Sequence, residues 1–491
     1  MSLTPSIHHE DSPQQAPIGS HGNSSDVLSR IRSLDVLRGI AVLGAIFISI
    51  WIFGGYSNNE QNGLLIKAKG FNYWLYSTVN LLLHGKMPGL ISIVFGASMI
   101  LYLFRGTQLR QMVNAEFFVR RQMWLIAFGL INAFVFLWSG DVLFHLGIMG
   151  VLLFPFVRLS ARGLLAAAIL TTLIYSAKNY WSYADDRGTY DKYLAVIAAE
   201  KKITKDSLAT AQKLIATRIA GKDSVPKVQK DTLSKKQKEE KQAWEGLVAG
   251  MKYDPKKDDG KNKAMRETSY AKIWDHQMQD TQSREAQWTY KTGIWEFSSM
   301  IFLGMALFRF GFFNDGFSRR KYLLIALVSL TIGLLLGWFR LHHNHVALVD
   351  YVKYIQRYPI PYHIFYPLEI AFTTLAYTSL VLWLLRVELL KHVWQGFATA
   401  GKMALTNYLM QSVICTIFFT GFGMGYFARL QQWQLYVFAA EVVLVNIVFS
   451  VLWLRSFNYG PAEWLWRCLI YKKWLPNRKM NFNIDTANAV S

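Results

Sequence analysis

The stretch Arg32-Ser33-Leu34-Asp35-Val36-Leu37-Arg38-Gly39 opens an apolar run that continues through Ile40 to Phe53. Charges at the mouth of a membrane-length segment are costly unless they pair, or face water or a cavity. Asp35 and Arg38 stand at i and i+3, so on a helix they share a face and can pair. Asp35 would also lie in the first helical turn, where a carboxylate meets the positive end of the helix dipole, and Ser33 suits an N-cap. Two readings follow: a capped helix start with a basic anchor, or a charged corner that binds an anionic cofactor or orients a catalytic group.

Runs of this kind recur. The chain has 491 residues, 52% of them hydrophobic and only 17% charged. Several apolar runs of membrane length define a polytopic membrane protein. Span-like runs fall at 36–53, 87–104, 123–138, 142–157, 164–180, 292–310, 323–339, 364–385, 397–419 and 433–454. The fold class expected is therefore all-α, with about ten transmembrane helices. Before residue 87, the segment 73–83 reads as a short apolar helix at or dipping into the surface. Such breaks at membrane depth are tolerated where they line a cavity or are buried in protein.

Between 181 and 290 the chain is Lys-rich and polar, with helical stretches at 194–220 and 235–250 broken at Pro226 and at Asp254-Pro255. It reads either as a helical extracytoplasmic cap or as a solvated spacer. The expected organisation is a disordered tail at 1–28, a membrane half at 29–180, the insert at 181–290, a second membrane half at 291–480, and a tail at 481–491. The first tail lacks the apolar core of a cleavable signal peptide.

The net charge of +21 raises the question of nucleic acid. Its distribution answers it. With both termini in the cytoplasm, the cytoplasmic segments carry about 22 Lys and Arg against about 7 in the opposite short loops. This asymmetry is that of a membrane topology, with the lipid bilayer rather than nucleic acid as partner. Cys415 and Cys468 are the two cysteines, and Cys415 sits in an apolar run, so no disulfide framework or zinc site is indicated.

The segment Ser33-Leu34-Asp35-Val36-Leu37-Arg38-Gly39-Ile40 and the C-terminal third together resemble the YeiB-like family of bacterial inner-membrane proteins, a domain of unknown function. The C-terminal motifs are Gly401-Lys402-Met403-Ala404-Leu405-Thr406-Asn407-Tyr408, Gln411-Ser412 and 457–467, Phe-Asn-Tyr-Gly-Pro-Ala-Glu-Trp-Leu-Trp-Arg. Gly85-Lys86-Met87, Ile93-Val94-Phe95-Gly96 and Gly140-Asp141 look like that family too. The opening motif is also similar to that of membrane acyltransferases, among them the heparan-alpha-glucosaminide N-acetyltransferase and bacterial sugar O-acyltransferases. The resemblance implies a bacterial inner (plasma) membrane location. It also implies transfer of an acyl group from cytoplasmic acyl-CoA to a hydroxyl or amine of an envelope glycan or lipid. Acyl-CoA is then a co-substrate, and no tightly bound cofactor is expected.

Such chemistry needs a base or nucleophile, cations for the CoA phosphates, and donors for the developing oxyanion. His84, in the broken stretch beside Lys86, is the leading base; the plainer alternative is an interfacial His beside a snorkelling Lys. Asp141 and His145, at i and i+4, suit a carboxylate orienting an imidazole, or a helix cap beside a core His. Asp35 completes the catalytic candidates. Arg38, Arg455 and Arg467 are the candidates for CoA phosphates. Lys86, Glu369, Asn407 and Gln411 are candidates for substrate; Glu369 is an intramembrane carboxylate, and the amides serve interhelical bonding equally well. His342, His343 and His345 fall in an expected outer loop without a metal-binding spacing, so no metal is expected. Glu369 and the broken helix equally suit a small-metabolite permease. A weaker third reading is a structural or sensory protein whose insert binds an anionic envelope polymer.

Overall fold

The computed structural model describes residues 24–103, 108–219, 233–267, 269–313 and 316–479. Residues 1–23 of the expected N-terminal tail, Pro226 and the expected tail 481–491 lie outside the described residues.

Helix α1, Ser24–Phe53, begins well before Ser33, so Ser33 is an interior residue and not the N-cap. The apolar run extends a helix that has already started at Ser24. Helix α2, Asn58–Lys67, is capped by the Ser57 hydroxyl, which accepts from the amides of Asn59 and Glu60. Helices α3, Phe71–Leu83, and α4, Lys86–Leu103, meet at His84-Gly85, where Gly85 takes a φ of +75° that few other residues adopt. Helix α5, Gln108–Leu130, ends in a π turn, Ile131–Val135. Helix α6, Leu143–Leu152, passes into a 3₁₀ turn, Phe154–Arg158.

Helix α7, Ala161–Ile219, runs without a break for 59 residues, about 88 Å at the usual rise per residue. It crosses the sequence boundary between membrane half and insert without registering it. Helices α8, Lys235–Met251, α9, Asp259–Glu267, and α10, Tyr270–Gln282, complete the insert. A π-helical segment, Ser283–Gly293, then leads into α11, Ile294–Arg309. Helix α12, Arg319–Val349, and α13, Tyr351–Arg357, contain the residues expected as an outer histidine loop; the three histidines lie on α12. A 3₁₀ turn precedes α14, Tyr366–Val387. The expected span 397–419 is two helices, α15, Lys391–Lys402, and α16, Ala404–Phe419, broken at Met403. Helices α17, Gln432–Ser456, and α18, Pro461–Tyr471, close the chain.

Among the described residues the fold is all-α; its one extended pairing is an isolated bridge between Phe457 and Arg478. Six stretches are long and apolar enough to cross a membrane: Arg32–Phe53, Phe71–Leu103, Ala115–Val135, Arg319–Val349, Tyr362–Val387 and Gln432–Ser456. Leu143–Leu152 and Ala404–Phe419 are shorter apolar helices. These are the features of a helical membrane protein.

Glycines bring the helices together. A Cβ on Gly39 would strike the Phe397 carbonyl oxygen, and one on Gly401 would strike that of Asp35. Helices α1 and α15 therefore cross backbone to backbone, as small residues allow in membrane bundles. Gly96 and Gly304 do the same for α4 and α11. The insert is helical and packed: Tyr183, Tyr190 and Trp244 form a buried aromatic cluster with Tyr351, Tyr354 and Ile355 of α13.

Candidate functional site

The α1–α15 crossing sets the first site. It holds Asp35 and Arg38 beside Lys402, the last residue of α15. Arg38 Nη1 donates to Asp35 Oδ1 at 2.9 Å, and Nη2 to Ser98 Oγ of α4 at 3.2 Å. The pairing expected of Asp35 and Arg38 is therefore present. Around them opens a cavity of about 720 Å³, which also takes in Arg121, Trp466 and Arg467. Arg121 stacks over the ring of Trp466 at 4.4 Å, and Arg467 over Tyr459 at 4.2 Å.

Two acids border this cavity, and both are occupied. Asp35 holds Arg38. Glu463 accepts from the amides of Leu405 and Thr406 at 2.6 and 3.1 Å, and from the Thr406 hydroxyl at 2.5 Å. It thereby satisfies the first amides of α16, which no intrahelical carbonyl can reach. Four cations, Arg38, Arg121, Lys402 and Arg467, thus face the cavity with a surplus of positive charge. Guanidinium groups fixed on aromatic faces bind phosphate oxygens well. Arg455, the third arginine expected here, is exposed in the last turn of α17 and is not part of the cavity wall.

A second polar group lies deeper, at the head of α4. Ser98 and Lys86 stand twelve residues apart on that helix, roughly 18 Å. Lys86 is fully buried and pairs with Glu369 Oε1. Arg340 Nε donates to Glu369 Oε2 at 2.7 Å, and its Nη2 to Oε1 at 3.1 Å and to Asn80 Oδ1 at 2.9 Å. One carboxylate therefore ties α4, α12 and α14 together, and Arg340 extends the group to Asn80 of α3. Arg340 falls one residue past the apolar run 323–339, so the sequence does not mark it as part of a buried site. The extension of α12 to Val349 is what buries it. His84 lies beside this group, its ring 6.1 Å from that of Tyr366, while the Lys86 ammonium is directed to Glu369.

A third group lies around Asp141 and His145, for which a carboxylate–imidazole pair and a helix cap beside a core His were both expected. Asp141 accepts from Asn132 Nδ2 at 2.8 Å and from the Phe144 amide at 2.7 Å, so it caps α6 and does not orient the imidazole. His145 instead stacks on Phe297 at 5.4 Å and meets the edge of Trp288 at 5.2 Å. Its Nε2 lies 3.8 Å from Glu285 Oε2, and the backbone of Asp141 and Arg284 also approaches the ring. Arg284 lies over Trp288 at 3.3 Å. Burial, helped by the nearby Asp141 carboxylate, pushes the Glu285 carboxyl up to about 8. Arg284, Glu285 and Trp288 were hidden because they close a segment read as a Lys-rich insert.

The amides serve packing. Asn407 donates to Ala400 O at 3.0 Å and to Ser450 Oγ at 2.9 Å, and Gln411 reaches Val42 O at 3.4 Å. These bonds hold α16 against α15, α17 and α1. No group of three or more metal-ligating side chains occurs among the described residues.

Fold and sites together describe a helical membrane protein with a buried ionic centre and a cavity lined by Arg38, Arg121, Lys402 and Arg467. Residues 307–473 match the family described as "Protein of unknown function (DUF418)". The chain is 26% identical over 467 residues to "Uncharacterized protein YeiB" of Escherichia coli strain K12, covering 90% of this chain and 96% of that one. It is 25% identical over 458 residues to "Uncharacterized protein YxaH" of Bacillus subtilis strain 168, covering 92% and 96%. The chain is thus similar to YeiB and YxaH along nearly its whole length, and the motifs at 401–467 fall inside the stretch that matches this domain of unknown function. No solved structure matches.

Proposed function

We propose that the chain is a membrane acyltransferase that draws an acyl group from acyl-CoA and delivers it to a hydroxyl or amine of an extracytoplasmic glycan or lipid. The observation that carries this reading is the four-cation cavity. Its arginines and lysine suit the CoA phosphates, and the aromatic faces of Trp466 and Tyr459 suit the adenine. In this reading the bundle has ten spans in a bacterial inner membrane, both ends are cytoplasmic, and residues 181–290 face the opposite side.

The pantetheine arm would run along α4 toward His84. The acceptor oxygen or nitrogen attacks the thioester carbonyl, its proton passes to His84, and the CoA thiolate leaves and is reprotonated. Lys86 and Arg340 are the cationic groups nearest the developing oxyanion. His145 and Glu285, buried side by side, suit the acceptor.

A permease is the second reading, favoured by the Lys86–Glu369–Arg340 group at membrane depth. Proteoliposomes carrying radiolabelled acetyl-CoA on the basic side separate the two. Label appearing across the bilayer in acetyl esters or amides that resist neutral hydroxylamine, which cleaves the thioester, supports the enzyme. Unmodified label crossing the bilayer supports the permease and overturns the acyltransferase.

A further inference from the structure

Beside the anion cavity, on the other face of the α5–α18 wall, lies an open groove of about 580 Å³. Its walls are apolar: Met123 and Ala127 from α5, Leu465 and Leu469 from α18. Its mouth is basic. Arg120, Lys472 and Lys473 stand there together with Trp474, which is 79% exposed. The chain builds this mouth deliberately. Lys472 takes the left-handed conformation, φ 54°, that ends α18, and the Lys473 amide returns to the Cys468 carbonyl at 3.2 Å. Trp464 then anchors the returning strand through Leu475 O at 2.7 Å. Arg120 ties the two helices by donating to Ile470 O at 2.8 Å and pairs with Glu116. Lys472 and Lys473 have no ion pair among the described residues.

We infer that this groove is a specific site for one anionic phospholipid of the bilayer, with an acyl chain against Ala127 and Leu469 and the phosphodiester between Arg120, Lys472 and Lys473. The charge and the shape require one molecule with both properties. A free anion leaves the apolar walls wet, and a neutral lipid leaves two lysines uncompensated. Met123, which lines the groove, is 62% exposed, and no lining residue of the groove is shared with the anion cavity. Basic pockets between helices at the cytoplasmic surface recognise anionic headgroups, at about 1 kcal/mol, or roughly fivefold, for each lysine or arginine. The inference does not depend on acyl transfer.

The test is native mass spectrometry of the full chain, titrated with dioleoylphosphatidylglycerol or dioleoylphosphatidylcholine. Retention of phosphatidylglycerol at least about tenfold tighter is expected. Lys472→Gln/Lys473→Gln should remove most of that preference, about fivefold per lysine. Both lysines are exposed, so an unchanged unfolding temperature accompanies the loss. Ala127→Trp, which fills the groove and keeps every charge, should weaken retention of phosphatidylglycerol as well. Equal retention of the two lipids by the wild type overturns the inference. So does a preference that survives in the double variant, or displacement of the lipid by inorganic phosphate alone.

Discussion

Arg340 grips Glu369 through two nitrogens, at 2.7 and 3.1 Å, while Lys86 takes the same carboxylate from the opposite side. Three ionisable side chains thus share one dry site, with one more cation than anion. Removing the shared carboxylate leaves two buried charges without a counterion, which costs about 3–5 kcal/mol. Glu369→Gln should therefore lower the unfolding temperature sharply. Arg340→Met, which leaves a neutral Lys86–Glu369 pair, should cost less. If Arg340→Met proves the more damaging of the two, the shared-carboxylate account fails.

The Glu285 carboxyl, pushed up to about 8 by burial, binds its proton more tightly folded than unfolded, where it titrates near 4.5. Its contribution to stability is complete below about 4.5 and is lost as pH rises through about 8. Unfolding temperatures measured from pH 5 to pH 9 should decline more steeply for the wild type than for Glu285→Gln. Identical slopes would show that this carboxyl is not protonated in the folded chain.

Trp244, 3% exposed, packs its ring against Tyr190 at 4.8 Å and Tyr351 at 6.1 Å. Truncating a buried tryptophan costs about 3–5 kcal/mol locally. Trp244→Ala should speed proteolysis of the segment 181–260 while leaving ligand binding at the basic end unchanged, because α7 separates the two regions. Proteolysis at the wild-type rate would mean that the cluster does not hold the insert down.

Gly401 lets α15 touch the Asp35 carbonyl, so any Cβ there must push α1 away. Gly401→Val should cost about 1–3 kcal/mol through overpacking and should also displace Asp35 and Arg38 from the cavity. Gly188, on α7, has open space where a Cβ would go, so Gly188→Ala should be neutral or stabilise by up to about 1 kcal/mol. Similar unfolding temperatures for the two variants would contradict the close crossing.

Much of this architecture was legible in the sequence because hydrophobicity over twenty residues leaves few alternatives in a membrane. The α3–α4 break could be read from Gly85 and Pro88, and the Asp35–Arg38 pair from its spacing. Contacts between distant segments could not. Nothing in the sequence around Lys402 says that it approaches Arg38; the Gly39–Gly401 crossing decides it. Arg340 looked like a loop residue because its helix outruns its apolar stretch. Asp141 and His145 had the right spacing, but the Asp141 carboxylate is held by Asn132 and the Phe144 amide, and the acid nearest the imidazole is Glu285, far along the chain.

The central claim is that Arg38, Arg121, Lys402 and Arg467 form a receptor for the phosphates of acyl-CoA. The most direct measurement is calorimetric titration of acetyl-CoA into the purified chain and into Arg38→Ala. The account predicts saturable binding that weakens by about 1.5–3 kcal/mol, roughly ten- to a hundredfold, in the variant. Absence of binding at millimolar acetyl-CoA, or equal affinity in the two proteins, would contradict it.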